Sequence, residues 1–258
     1  MGGSLPFILA DQNFDEAMGS GTLPPLGLGG ILLIAYAPTL AALFVTALTA
    51  DAGGKNNLLW KLTNWRVAPA WYALVLLAPF VMVLAADGIY ALAGGASPRA
   101  WLVVPDTIAT SAFWGPLVAG SLGEEPGWRG FALPRLQSRL GALPASILIG
   151  ILWGTWHLWP AITPGGVAHL TAANLVQTYL RLISTSILYA WLFNSTNGSL
   201  VLMMVAHAGH NLAIDFVPMP EKGAPVVALI VAFLYMAAAL AVVLSTDPRT
   251  LTRAKSGG

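Results

Sequence analysis

Seven apolar stretches follow one another along this chain, at residues 30–50, 69–93, 106–125, 143–160, 172–193, 199–217 and 224–245. Each has about the 20 residues that a helix needs to cross a hydrocarbon core of about 30 Å. Polar, Gly-rich and Pro-rich segments separate them. The pattern predicts an all-α fold, a polytopic membrane bundle of seven transmembrane helices, with an eighth element possible in the amino-terminal segment. Pro38, Pro79 and Pro116 fall inside the stretches, and membrane helices tolerate proline better than soluble ones.

Composition agrees. Hydrophobic residues make up 57% of the 258 and charged residues only 9%, against about 25% charged in ordinary soluble domains. With a mean hydropathy of +0.72, such a chain cannot cover a water-facing surface, and its solvent is mostly lipid. Nothing supports nucleic-acid binding. No cysteine is present, which excludes disulfides, thiolate nucleophiles, thiolate metal sites and prenylation of this chain's own carboxyl terminus.

Residues 1–28 are rich in Gly and Pro and carry Asp11, Asp15 and Glu16 without a basic residue. They read as an extramembrane or interfacial segment and not as a secretory signal, which opens with positive charge. Residues 29–246 form one intramembrane domain, and 247–258 a polar tail. Lys55, Lys61, Arg66, Arg129, Arg135, Arg139, Arg249, Arg253 and Lys255 fall on one side of the predicted membrane, while Arg99 and Lys222 alone fall in the opposite loops. The positive-inside rule then places the carboxyl terminus in the cytoplasm.

The chemistry-bearing residues sit where apolar runs make them expensive. Glu124 and Glu125 are adjacent near the end of the third run, and Arg129 follows Glu125 by one helical turn, close enough to pair with it. His157 lies among the tryptophans of Trp153-Gly-Thr-Trp-His157, and His207 and Asn211 share one helix face at i, i+4. His210 lies off that line and reads as a structural neighbour. Each cluster has a plainer explanation, respectively a charge cluster at a helix end, an interfacial aromatic belt and polar glue between helices. Arg181, deep in the fifth run, needs a partner, either structural or a substrate carboxylate. Asp87 and Asp215, near helix ends, are expected to reach the interface. His169 reads as a solvated loop residue.

Depth links the first two clusters. A helix that ended at Glu125 would leave Glu124 and His157 on opposite sides of the membrane. If the third helix instead continues through Phe131–Arg139 and turns at Gly141, Glu124 lies 17 residues before the turn and His157 16 after it. Both then lie about 24 Å from the tip, at 1.5 Å per residue. Pro126 is expected to loosen the helix just after the carboxylates. In this arrangement Glu124 is a candidate general base toward water, Glu125 with Arg129 a support, and His207 with Asn211 donors for an oxyanion.

The three motifs Glu124-Glu125-Pro-Gly-Trp-Arg129, Trp153-Gly-Thr-Trp-His157 and His207-Ala-Gly-His-Asn211 resemble, in order, those of the CAAX protease and bacteriocin-processing (CPBP, or Abi) family of intramembrane endopeptidases. That family includes the type II CAAX prenyl proteases. The likeness covers roughly residues 65–215, and Trp153 stands where the common form has Phe. The resemblance implies an endopeptidase in which Glu124 and His157 prepare water and His207 and Asn211 hold the oxyanion. Its substrate would be a membrane-associated protein or peptide, prenylated in some members, in the cytoplasmic membrane of a bacterial cell. A metal-free glutamic mechanism is favoured, because the His-Glu-x-x-His helix of many zinc proteases is missing. A zinc version would use Glu124, His157 and His207 as ligands. Two other classes remain, a transporter and a non-catalytic scaffold involved in bacteriocin immunity.

Overall fold

The computed structural model describes residues 25–49, 52–158, 170–220 and 223–253, and His169 lies outside them. Among these residues the helices are α1 (Pro25–Leu48), α2 (Ala52–Thr63), α3 (Pro69–Leu92), α4 (Ser111–Glu125), a π-helical stretch (Pro126–Ala132), α5 (Leu133–Leu140), α6 (Ala142–Trp156), α7 (Ala172–Ser195), α8 (Leu200–Phe216) and α9 (Ala224–Ser245). The β-structure among them is an isolated bridge between Asp247 and Thr252.

Local chemistry sets several of these limits. Thr171 and Ser199 cap α7 and α8, each accepting a backbone N–H from the residue three positions on, as N-cap hydroxyls do. Pro69 opens α3, where its missing N–H has no consequence. Gly141 adopts φ +85°, a left-handed value suited to glycine, and reverses the chain between α5 and α6.

The third predicted span therefore does run past the carboxylates, and α4, the π stretch and α5 form one descending arm of a hairpin. The loosening expected at Pro126 takes the form of the π-helical winding itself. Proline offers no N–H, and the ladder around it is rebuilt with wider turns. A carbonyl in this stretch, that of Gly130, accepts a hydrogen bond from Lys61 Nζ at 3.2 Å. Lys61 comes from α2, a short helix inside a stretch that the apolar pattern left as a loop. Burial first, and the charge of Arg135 second, pull the Lys61 ammonium below the ordinary lysine range.

Packing places α6 between α5 and α7, α7 against α9, α3 against α8 and α9, and α4 between α1 and α8. Gly123 and Gly127 let the backbone of α1 come directly onto the descending arm at Ala35 and Pro38. The Thr39 hydroxyl donates to the Gly123 carbonyl there at 2.6 Å. Small residues four apart do this between membrane helices, where close backbone approach replaces the hydrophobic effect. One apolar core gathers Leu133, Ile149, Trp153, Leu200 and Met203, and a second gathers Val83, Ala213, Val227, Val231 and Tyr235.

The outward surface is apolar as well: Phe44, Leu77, Val81, Leu240 and Leu244 are exposed. α3 and α9 are long and apolar enough to cross a membrane. An all-helical bundle with leucine and phenylalanine on its outside is consistent with a helical membrane protein.

Four details depart from the pattern. The first helix starts at Pro25, and the third starts at Ser111 after a run of turns. Asp87 does not reach an interface: it is fully buried on the inward face of α3, below Val83, with neither oxygen bonded among the described residues. The tail is not merely an appendage. Arg249 and Pro248 carbonyls accept the Ala142 and Leu143 N–H groups at 2.8 and 3.0 Å, Thr250 O accepts from Asn194 Nδ2 at 2.7 Å, and Leu251 is buried. Residues 247–253 thus satisfy backbone donors at the start of α6, which otherwise lack partners.

Candidate active site

The hairpin carries Glu124 and Glu125 down one arm and returns Trp153 and His157 on the other. Glu124 Oε2 accepts a short hydrogen bond from Trp153 Nε1, so the two arms do meet at the depth of the carboxylates. The bonded contact falls one turn nearer the tip than His157. π winding places more residues in each turn and so shortens the descending arm, and the length of the indole covers the rest.

His157 itself is held by its own helix. Its Nδ1 lies 2.9 Å from the Trp153 carbonyl, and a carbonyl can only accept, so Nδ1 carries the proton and Nε2 is left with its lone pair. The imidazole stands edge-on to the Trp153 ring at 5.5 Å. The charges of Glu124, Arg181 and His207 all act on it.

Glu125 has a larger share in the site than pairing with Arg129. Its Oε1 accepts from Arg129 Nη1 at 3.0 Å and lies 2.8 Å from His207 Nδ1. Glu125 is 0% and Arg129 1% exposed. The guanidinium lies between two aromatic faces, 4.3 Å from the Trp153 ring centre and 4.7 Å from that of Tyr189. Such stacking suits a weakly hydrated planar cation. The adjacent carboxylates thus turn apart, as a step of about 100° per residue requires, Glu124 toward α6 and Glu125 toward α8.

With Nδ1 directed at Glu125, His207 turns Nε2 toward α4. A methyl group placed on Gly120 would lie 3.6 Å from His207 Nε2 and 3.8 Å from Asn211 Nδ2. The i, i+4 pair on α8 therefore converges on one spot, above the bare backbone of Gly120. Gly120 is one turn before Glu124 and on the same side of α4. A cavity of about 350 Å³ runs on from there between α4 and α8, lined by Phe113, Leu117, Asn211, Ile214 and Asp215.

The structure brings Glu124, Glu125, Arg129, His157, His207 and Asn211 into one region. Sequence spacing missed the contributions of Trp153, Tyr189 and Gly120. The first had a signal, four residues before His157 and on its face, that an aromatic-belt explanation absorbed. His210 is, as expected, off the His207–Asn211 line; its Nε2 meets Arg181 Nη1 at 2.7 Å and its Nδ1 meets Tyr235 Oη at 2.8 Å. Among the described residues, no three His, Asp or Glu side chains are grouped as ligands for one metal ion. Glu124, His157 and His207 each bond one polar atom to the protein and keep the other for the site.

Comparison with known proteins agrees with this geometry. Residues 106–213 match the family model described as type II CAAX prenyl endopeptidase Rce1-like. The chain is also 28% identical over 202 residues to a protein of Methanococcus maripaludis named CAAX prenyl protease 2, covering 71% of this chain and 72% of that relative. The matched stretch contains the hairpin and the α8 pair, where the site's polar groups lie, and through it the chain is similar to the Rce1-like type II CAAX prenyl endopeptidases.

Proposed function

We propose that this chain is an intramembrane endopeptidase that hydrolyses a peptide bond of a membrane-associated, prenylated protein or peptide with water activated by Glu124. One observation carries the reading: Glu124, fixed by the Trp153 indole, shares a side of α4 with the spot on which His207 Nε2 and Asn211 Nδ2 converge. Water bound between Glu124 and His157 Nε2 gives up a proton to the carboxylate as its oxygen attacks the scissile carbonyl carbon. The carbonyl oxygen becomes an oxyanion and is received over Gly120 by His207 and Asn211 N–H donors. Glu125, accepting from His207 Nδ1, lets the ring carry a second proton on Nε2 for that purpose. The tetrahedral intermediate then expels the amine, and the proton held by Glu124 goes to the leaving nitrogen.

Residues 29–246 act as one protease unit of seven spans, with the carboxyl tail on the cytoplasmic side of a bacterial cytoplasmic membrane. The metal-free reading is supported by the residue set, in which Glu124, His157, His207 and Asn211 supply a base, a lone pair toward water and oxyanion donors without calling on an ion. The test uses the purified protein in detergent micelles and a fluorogenic peptide whose prenylated cysteine begins a carboxyl-terminal Cys-aliphatic-aliphatic-X sequence. Cleavage is expected and is expected to survive exhaustive chelation. Loss of cleavage that added zinc restores would instead assign a metalloenzyme, and no cleavage would remove the substrate class.

Gly120 supplies a second check. Gly120→Ala places a methyl group in the oxyanion space at ordinary contact distances, so the fold accepts it. Alanine should raise stability by up to about 1 kcal/mol in a helix interior, while kcat falls by about tenfold or more, as when an oxyanion donor is blocked. Thermal melting and initial rates on the same preparation read both signs.

A further inference from the structure

A cavity of about 570 Å³ opens at the hairpin tip, and it shares no lining residue with the candidate active site. Its walls come from α2, α5, the end of α7 and the carboxyl-terminal residues, and include Trp60, Lys61, Gln137, Phe193, Asn194 and Arg249. Two cations line it and no Asp or Glu does. Lys61 is only 8% exposed, yet its ammonium meets neutral partners: the Gly130 carbonyl, and the Phe193 ring at 5.6 Å. An ammonium has three donors, and a buried cation without a counter-charge is expensive. Arg135 adds like-charge repulsion to that cost. Arg249 is exposed, and among the described residues neither it nor Lys61 is paired with a carboxylate. The two wall amides, Gln137 and Asn194, are bonded to each other, so the cations are the groups left unmatched.

Position says which anion. Trp60 is 50% exposed, and Leu59 and Trp65 beside it are exposed as well, as aromatic and apolar side chains are where a chain leaves the bilayer. The cavity lies on the side of the bundle where Lys and Arg gather, and basic pockets at this depth receive lipid headgroups. A phosphate that arrives with acyl chains can use the apolar wall of Trp60 and Phe193 as well as the charges, which a free phosphate cannot.

We propose that this cavity binds the phosphate group of an anionic membrane lipid, held between Lys61 and Arg249. The site does not depend on the endopeptidase reading. Lys61 is tied to the descending arm through the Gly130 carbonyl, and the Arg249 carbonyl accepts the Ala142 N–H at the start of the ascending arm. A headgroup bridging the two side chains therefore braces both arms of the hairpin, and its binding stabilises the fold.

The experiment titrates phosphatidylglycerol, phosphatidylcholine or inorganic phosphate, at matched ionic strength, into the full chain in nonionic detergent micelles and reads Tm. Phosphatidylglycerol is expected to raise Tm saturably, with an apparent Kd about tenfold or more below that of phosphatidylcholine. Arg249→Gln should weaken this binding about fivefold, the scale of one basic residue at an anionic surface. Lys61→Gln, which keeps a donor for the Gly130 carbonyl, should weaken it about tenfold. Arg139→Gln removes an exposed cation from the same hairpin tip but not from the cavity wall, and should leave Kd within about twofold. Equal response to the two lipids overturns the inference. So does an equal loss in Arg249→Gln and Arg139→Gln, which marks diffuse surface attraction. Protection by inorganic phosphate matching that by phosphatidylglycerol overturns the lipid and assigns the cavity to a free phosphate. If Lys61→Gln fails to fold, the comparison of Arg249→Gln with Arg139→Gln decides alone.

Discussion

Glu124→Gln is expected to lower peptide cleavage by about 10²–10⁴-fold, the range attached to a positioned general acid–base group, with no loss of folded protein. The side chains have the same shape. The amide oxygen of glutamine still accepts the Trp153 indole N–H that Glu124 Oε2 accepts now, so the junction between the hairpin's arms stays closed. What disappears is the ability to take a proton from water and return it to the leaving nitrogen. The measurement is the single-turnover rate on the prenylated peptide together with the melting curve. A variant that cuts at the native rate would remove Glu124 from the reaction. A variant that fails to fold would show that the indole contact needs the negative charge, and Glu124→Asp would then separate charge from reach.

The second large effect is on stability. Arg129→Met should cost about 3–5 kcal/mol, because it leaves the buried Glu125 carboxylate without its fixed counter-charge. Both members of the pair are almost completely inaccessible, at 0% and 1% exposure, so water cannot take the place of the guanidinium. The cation also fills the gap between the Trp153 and Tyr189 rings. Arg129→Lys should therefore recover little, since an ammonium lacks the plane that stacks there. The double variant Glu125→Gln with Arg129→Met is expected to be less damaged than Arg129→Met alone, because it buries no orphan charge. Thermal or denaturant unfolding in one detergent would measure all three, and equal losses for the single and double variants would refute the account.

Much of this site could be read from spacing. The expected turn at Gly141 put Glu124 level with His157, and the observed bond of Glu124 falls one turn nearer the tip, at Trp153. The i, i+4 relation of His207 and Asn211 predicted a common target, which the bare backbone of Gly120 supplies. Other features have no one-dimensional signature. The His207–Glu125 bond joins residues 82 positions apart, and the Arg181–His210–Tyr235 chain depends on how α7, α8 and α9 pack. Helix α2 was hidden because its glycines and lysines read as a loop, whereas its formation rests on tertiary partners such as the Gly130 carbonyl. Asp87 misled for the opposite reason: proximity to a helix end suggests exposure, but the face of the helix, not the distance from its end, decides what a side chain meets.

The π-helical stretch from Pro126 to Ala132 has a consequence for the gene as well as for the enzyme. One amino acid more per turn works as a phase adjuster: it sets the azimuth at which everything downstream, including Leu133 in the core, emerges relative to the acidic pair. Inserting one more codon within it, without a further widening of the turns, would swing the hairpin tip by about 100°, whereas deleting one would let ordinary winding resume at nearly the same azimuth. Insertions in this short window should therefore be far less tolerated than single deletions or changes of side chain on its outer side.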